Sequence, residues 1–374
     1  MSETYEPGGR ETVERLLAEA LESIKDGPEK IAVLEEAVRH ADAAGDLKLQ
    51  YAAREDLVEA AYFGGAPDKA VVAYTWCLAQ FDRHPGEFDE WRLLWRYKWM
   101  VNVIPDFPQI PREQIHGMIE DMERRFRRGG YGLRSVHQYR YRVARFMGER
   151  DEAIRQYRRS QAESPDDVSD CQACRIDEQS SFHVYTGDDA RALEIAQSLV
   201  SFRHFCRTVP ERTFARLLLP LLRLRRAEEA ADFHRRGYRL SEVRSHGSIE
   251  YVSDHVVYLA LSGDPLGAAR MAAKHYRWSE ENHNPHERFI FYRAAWLALD
   301  LLAGRGLTEV ALRLPPTFPL CEESCLYETA RLRDWFSARA LEIARRFDAR
   351  NGNDHFTREL ADLDALKRSA EPVV

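Results

Sequence analysis

The sequence lacks the features of a membrane protein and of a protein held together by disulfides. No run of about 18 apolar residues occurs in its 374 residues, and the segment from Met1 to Arg10 has no apolar stretch typical of a signal peptide. Only six cysteines are present, too few for a disulfide framework in a chain of this length. We therefore expect a cytoplasmic protein without membrane segments, whose cysteines are reduced.

The sequence also lacks an excess of positive charge, because 61 acidic residues outnumber 54 basic ones and give a formal net charge of -7. This balance disfavours nucleic acid as a partner, since proteins that grip the phosphate backbone carry an excess of basic residues. A P-loop, a GxSxG nucleophile motif and an HExxH zinc motif are absent as well. The sequence therefore disfavours both a nucleic-acid-binding protein and an enzyme.

What the chain does contain is a regularly spaced turn. Short segments of the form Gly-x4-Ala, or close variants, precede an apolar helical pattern at seven places, at steps of 39, 45, 38, 39, 38 and 38 residues. They are DGPEKI from Asp26, GAPDKA from Gly65, IPREQI from Ile110, GERDEA from Gly148, GDDARA from Gly187, RRAEEA from Arg225 and GDPLGA from Gly263. The longest step contains a proline-rich insertion, Ile104 to Pro108. Such regularity indicates a repeat protein.

Each turn has the composition expected where one helix ends and an antiparallel one begins. Glycine supplies the positive φ of a helix C-cap, and Asp, Glu or Pro then suits the first turn of the next helix. The alanine leaves room for the two helices to approach closely. Segments on both sides, such as Val136 to Phe146, Phe214 to Leu224 and Val252 to Leu261, have the helical period, and no segment predicts a strand.

Segments such as GERDEAIRQY and GDDARALEIA resemble the second helix of a tetratricopeptide repeat (TPR). The resemblance covers residues 11–304 and implies an all-α fold, an α-α superhelix or TPR-like solenoid of about seven antiparallel helix pairs. The repeat departs from the family's usual length of about 34 residues, and its Trp and Pro positions are mostly missing. Residues 305–374, with three prolines between positions 315 and 319, are expected to form a loop and C-terminal capping helices.

The TPR resemblance also implies a concave groove that binds a protein or peptide partner and is lined by the first helix of each pair. Carried over by position, the predicted groove residues are Glu55, Glu59, Tyr62, Gln138, Arg142, Arg145, Asp177 and Arg212. Their mixture of acidic and basic side chains favours a charged peptide or protein segment.

The sharpest chemical signal is a group of three cysteines. Cys171 and Cys174 form a CxxC pair at the start of one first helix, and Cys206 precedes the next first helix. Neighbouring helices lie about 10 Å apart, so the three thiolates are candidate ligands of one structural zinc ion. We expect His204 as the fourth ligand, with Asp170 as another candidate. A redox pair and simple packing of small hydrophobic side chains are the alternatives.

Two further patterns each have two interpretations. Trp91, Trp95 and Trp99 share one helical face and indicate either core packing or a stacking platform for a ligand. Arginine and tyrosine alternate around Arg140 and Arg142, which indicates a solvated face or a site for carboxylate or phosphate.

The function that these observations favour is a non-catalytic scaffold or adaptor that binds a protein or peptide. One alternative is a ligand-sensing regulator that acts through a partner. A second alternative, from another class, is a metal-dependent enzyme built on Cys171, Cys174 and Cys206. The expected cofactor content is either none or one structural zinc ion.

Overall fold

The computed structural model of the chain describes residues 8–244 and 249–369. The described residues divide into two units, each with its own internal packing. Unit 1 comprises residues up to Ser169 together with 281–284, and unit 2 comprises 170–244, 249–280 and 285–369. The last five residues of the predicted capping segment, 370–374, lie outside the described residues.

Unit 1 is an array of helices packed in sequence order. These are α1 (Gly8–Glu22), α2 (Pro28–Ala44), α3 (Leu47–Phe63), α4 (Pro67–Arg83), α5 (Glu90–Val103), α6 (Arg112–Arg128), α7 (Arg134–Phe146) and α8 (Arg150–Ala162). Helices α1 and α2, α3 and α4, and α7 and α8 form intimate pairs. Because short loops connect them, the partners in each pair run antiparallel.

Unit 2 continues the same pattern and adds a small β-ribbon. Its elements are α9 (Gln172–Thr186), α10 (Asp189–Val200), α11 (Glu211–Arg216), α12 (Leu218–Arg223), α13 (Ala227–Arg244), α14 (Ile249–Leu261), α15 (Pro265–Glu281), α16 (Pro285–Gly304), β1 (Glu309–Ala311), β2 (Leu326–Glu328), α17 (Thr329–Asn351) and α18 (His355–Ser369). Helix α17 packs along α16. The predicted all-α class of sequentially packed helix pairs is confirmed.

All seven predicted turns lie where a second helix begins, immediately before α2, α4, α6, α8, α10, α13 and α15. Five of them contain a glycine with positive φ, and at the sixth Arg225 adopts φ 57°, a conformation that a side chain makes costly. The sixth and last residue of each six-residue turn segment is buried, with at most 3% of its surface exposed. These residues are Ile31, Ala70, Ile115, Ala153, Ala192, Ala230 and Ala268. Close helix approach therefore depends on them.

Two sequence expectations were wrong in detail. The segment from Phe214 to Leu224 was expected to be one helix, but it divides into α11 and α12 at Leu217. Pro220 explains the break, because proline has no N–H to donate to the carbonyl four residues earlier. The sequence also predicted no strand, whereas β1 and β2 pair antiparallel, with Val310 opposite Tyr327. Each strand has only three residues, too few for a periodic signal.

The proline-rich insertion is packed into unit 1. Ile104–Asp106 forms a 3₁₀ turn at the end of α5, and Ile104, Pro105 and Phe107 are buried.

Among the described helices, none combines the length and the hydropathy that crossing a membrane requires.

Candidate functional site

In unit 1, the predicted groove residues of α3 meet arginines of the next first helix, α5. Glu55 contacts Arg96 at 3.0 Å and Arg92 at 3.2 Å, and Glu59 lies 3.6 Å from Arg96. The side chain of Arg96 is only 8% exposed, so its charge is largely removed from water and compensated by these carboxylates. Neighbouring Asp56 was not predicted from the sequence. Burial, and then the charge of Glu55, raise its pKa to about 6.

A second row of side chains connects α3, α5 and α7. The amide of Asn102 donates to the hydroxyl of Tyr62 at 3.2 Å and accepts from Arg142 at 3.4 Å. Trp99 stacks on Tyr62 with ring centroids 5.3 Å apart, and Arg142 lies over the ring of Tyr139. Asn102, which was not predicted from the sequence, thus bridges two of the predicted groove positions, Tyr62 and Arg142, across three consecutive first helices.

The remaining predicted positions on α7 differ in accessibility. Gln138 is only 5% exposed, so it offers a partner almost no surface. Arg142 and Arg145 are half-buried, with their side chains on the same helical face. In unit 1, therefore, the polar surface of this face comes mainly from Glu59, Tyr62 and the two arginines.

The tryptophan stripe of α5 combines packing with a buried charge. Trp91 and Trp95 stack at 5.2 Å, and the ammonium group of Lys98 lies 3.5 Å from the ring centre of Trp95. Lys98 is fully buried and donates to the carbonyl of Val168 at 2.6 Å. Trp91 is 41% exposed, and its indole N–H donates to the carbonyl of Asp167. Trp91 and Lys98 thus hold Asp167 and Val168, which follow α8, against α5.

In unit 2, the two predicted groove residues contact each other. Asp177 of α9 is 1% exposed and accepts hydrogen bonds from Arg212 at 2.7 Å, Arg216 at 2.9 Å and Thr213 at 2.5 Å, all on α11. Burial alone would raise the pKa of this carboxyl, but the two guanidinium groups outweigh it and lower the pKa to about 2. Asp177 therefore joins two helices and is not presented to solvent.

The three cysteines predicted as metal ligands come together in unit 2. The sulfurs of Cys171, Cys174 and Cys206 all lie within 4.8 Å of one another, and those of Cys174 and Cys206 are 3.2 Å apart. Hydrogen bonds with Cys171 and Cys174 lower the pKa of the Cys206 thiol, and the corresponding contacts with Cys171 and Cys206 raise that of Cys174. Such a group has the donor atoms that zinc prefers.

His204, the predicted fourth ligand, is not part of this group. Among the described residues, no histidine, aspartate or glutamate joins the three sulfurs within 4.8 Å, and this also holds for Asp170. The Nδ1 atom of His204 is buried and has no hydrogen-bond partner, while its backbone N–H donates to Ser198.

Sequence reasoning missed a cluster of histidines in unit 2. His234 of α13 and the fully buried His255 of α14 face each other with their Nδ1 atoms 3.1 Å apart. Beside them, His275 of α15 lies 2.8 Å from the hydroxyl of Tyr238, which also accepts from Lys274 at 3.1 Å. These residues form no sequence motif, because they come from three helices that only the tertiary fold brings together.

Burial explains the electrostatics of this histidine cluster. Removal from water lowers the pKa of His234 and of His275 to about 4 and lowers that of His255 as well. All three are consequently neutral at pH 7.

The chain was also compared with known proteins, and neither a protein-family model nor a curated protein matches it.

Proposed function

We propose that the chain is a cytoplasmic, non-catalytic scaffold of the tetratricopeptide type that binds a charged peptide or protein segment along its first-helix face. In unit 1 this face comprises Glu59 and Tyr62 of α3, Asn102 of α5, and Arg142 and Arg145 of α7. The observation that carries the proposal is the contact row Tyr62–Asn102–Arg142. It joins three successive first helices into one polar surface.

The chemistry of this face favours an extended segment that carries both charges. Glu59, whose side chain is 39% exposed, suits a basic side chain, while Arg142 and Arg145 suit a carboxylate through paired N–H donors. The aromatic rings of Tyr62 and Trp99 lie between the two ends and offer apolar contact. The seven regular turns support the TPR assignment, because each places a small or aliphatic buried residue at the same point.

The test uses a displayed library of linear peptides and the full chain. Peptides enriched on the wild type are expected to bind the variant Arg142→Glu/Arg145→Glu about tenfold more weakly or worse, which corresponds to about 1.4 kcal/mol. Affinities are measured by fluorescence anisotropy, and circular dichroism checks that each variant is folded.

The matched control is Arg158→Glu/Arg159→Glu, which makes the same charge change at exposed positions of the second helix α8. This control is expected to bind the enriched peptides like the wild type. The proposal fails if no peptide is enriched over an unrelated helical protein, or if both double variants lose affinity equally.

A further inference from the structure

The cysteine group of unit 2 has the dimensions of a zinc site. Zinc bonds to thiolate sulfur at about 2.3 Å, so sulfurs at the corners of a tetrahedron lie about 3.8 Å apart. The three sulfurs observed here are separated by no more than 4.8 Å, with the shortest separation 3.2 Å. An ion at their centre therefore requires only small side-chain shifts. The cysteines come from two segments separated by helix α10, which makes the convergence a property of the fold.

Two features of the surroundings stabilise negative charge on these sulfurs. The backbone N–H of Thr208 donates to the sulfur of Cys206, and the positive charge of Arg212 acts on both Cys174 and Cys206. Since zinc binds the thiolate and not the thiol, both features favour metal binding over simple packing.

The loop that carries Cys206 is also held in a defined conformation. The backbone N–H of Cys206 donates to the carbonyl of Val209 at 2.9 Å, and that of Arg175 donates to the carbonyl of Cys171 at 3.0 Å. Both cysteine backbones are thus fixed independently of their sulfurs. Preorganised ligands bind a metal more tightly because little ordering remains to be done when the ion arrives.

We propose that Cys171, Cys174 and Cys206 bind one zinc ion as thiolates, that no other residue of the described ranges 8–244 and 249–369 binds it, and that water occupies the fourth position. Cys171 is exposed, which leaves one side of the group accessible to solvent. A zinc ion with three protein ligands and an open position is accessible to small molecules, unlike a closed structural site. The ion would link the start of α9 to the loop before α11. This inference goes beyond the scaffold proposal and does not depend on it.

Zinc binding is measured on the full chain, stripped with a chelator, kept reduced and titrated against a chromophoric competitor. The wild type is expected to bind one equivalent of zinc, and Cys171→Ser and Cys174→Ser to bind it at least about a hundredfold more weakly. The expectation is a lower limit, because losing even an outer-shell partner costs about 10- to 100-fold. Cys321→Ser, which removes another exposed thiol of unit 2, is the matched control and is expected to bind like the wild type.

Cobalt substitution tests the cysteine ligands on the wild-type protein, so this part of the test does not depend on whether the cysteine variants fold. Wild-type protein loaded with Co²⁺ is expected to show thiolate-to-metal charge-transfer bands and the visible bands of a four-coordinate ion, and added imidazole is expected to shift the visible bands. His204→Ala is expected to give the same spectra. Absence of charge-transfer bands, full zinc affinity in Cys171→Ser, loss of the ion in His204→Ala, or visible bands that do not respond to imidazole would each overturn the assignment.

Discussion

Replacing Asp177 by asparagine is expected to lower the free energy of unfolding of unit 2 by roughly 3 kcal/mol, because it removes the buried carboxylate that two half-buried arginines share. Asp177 is almost inaccessible to solvent and contacts Arg212 and Arg216 at 2.7 and 2.9 Å. Asparagine has the same size, so the change isolates the charge from the packing. Urea-induced unfolding, followed by circular dichroism and tryptophan fluorescence, measures the loss.

The control for this prediction is Asp232→Asn, which removes a carboxylate paired with Arg235 and Arg236 on the surface of α13. The three side chains are between 38% and 71% exposed, and ion pairs in contact with water contribute about 0 to 1 kcal/mol. The interpretation of Asp177 as the centre of a stabilising buried network would be wrong if the two variants unfold at the same urea concentration.

Acidification from pH 6.5 to pH 4 is expected to destabilise unit 2 through the histidine cluster. In the unfolded chain a histidine binds its proton near pH 6.5, whereas folded His234 and His275 bind theirs only at about pH 4. Between these values the unfolded state binds more protons than the folded state. The free energy of unfolding therefore decreases as the pH is lowered, by up to about 1.4 kcal/mol per pH unit for each histidine. Above pH 6.5 the contribution is fully present.

The close contact between His234 and His255 also predicts that acidification destabilises unit 2. The Nδ1 atoms of His234 and His255 face each other at 3.1 Å, so only one of them can carry a proton there, and doubly charged imidazoles would repel. The charged groups around the cluster are Arg235 and Lys274, which oppose protonation, and Glu242, which favours it.

A variant separates the histidines from other titrating groups. Burial raises the pKa of Asp254 to about 7 and that of Asp56 to about 6; protonation of these carboxyls on acidification favours the folded state and partly offsets the histidine effect. We therefore compare the pH dependence of the free energy of unfolding in the wild type and in His255→Leu, where a shallower slope is expected. His40→Gln changes a histidine of unit 1 whose side chain is 44% exposed, and it is expected to keep the wild-type slope. Equal slopes in all three proteins would contradict this role of the cluster.

Much of the fold follows from local sequence chemistry. Each turn is specified within six residues: a glycine such as Gly148 or Gly187 ends one helix with positive φ, acidic residues begin the next, and a small residue such as Ala153 lets the pair close. The exceptions have local causes too. Pro220 breaks a helix that periodicity alone predicts as continuous, and the two strands are too short for alternation to be detected.

The candidate sites were only partly predictable. The repeat register placed Cys171, Cys174 and Cys206 near one another, and the structure brings their sulfurs together. It also placed Asp177 and Arg212 in the groove, but did not predict that Asp177 would be buried and would pair with Arg212. The reason is that each residue advances an α-helix by about 100°, so a register uncertain by one residue leaves the direction of a side chain undetermined.

The sequence by itself determined the all-helical class, the places where helices end and the residues on which close helix packing depends, because these rest on interactions within a few residues. Only the tertiary structure decided which charges became buried pairs, which histidines met, and that His204 stays outside the cysteine group. Those outcomes depend on the stacking of successive helix pairs, where contacts join residues 20 to 40 positions apart in the chain, as between Asp177 and Arg212 or Tyr62 and Asn102.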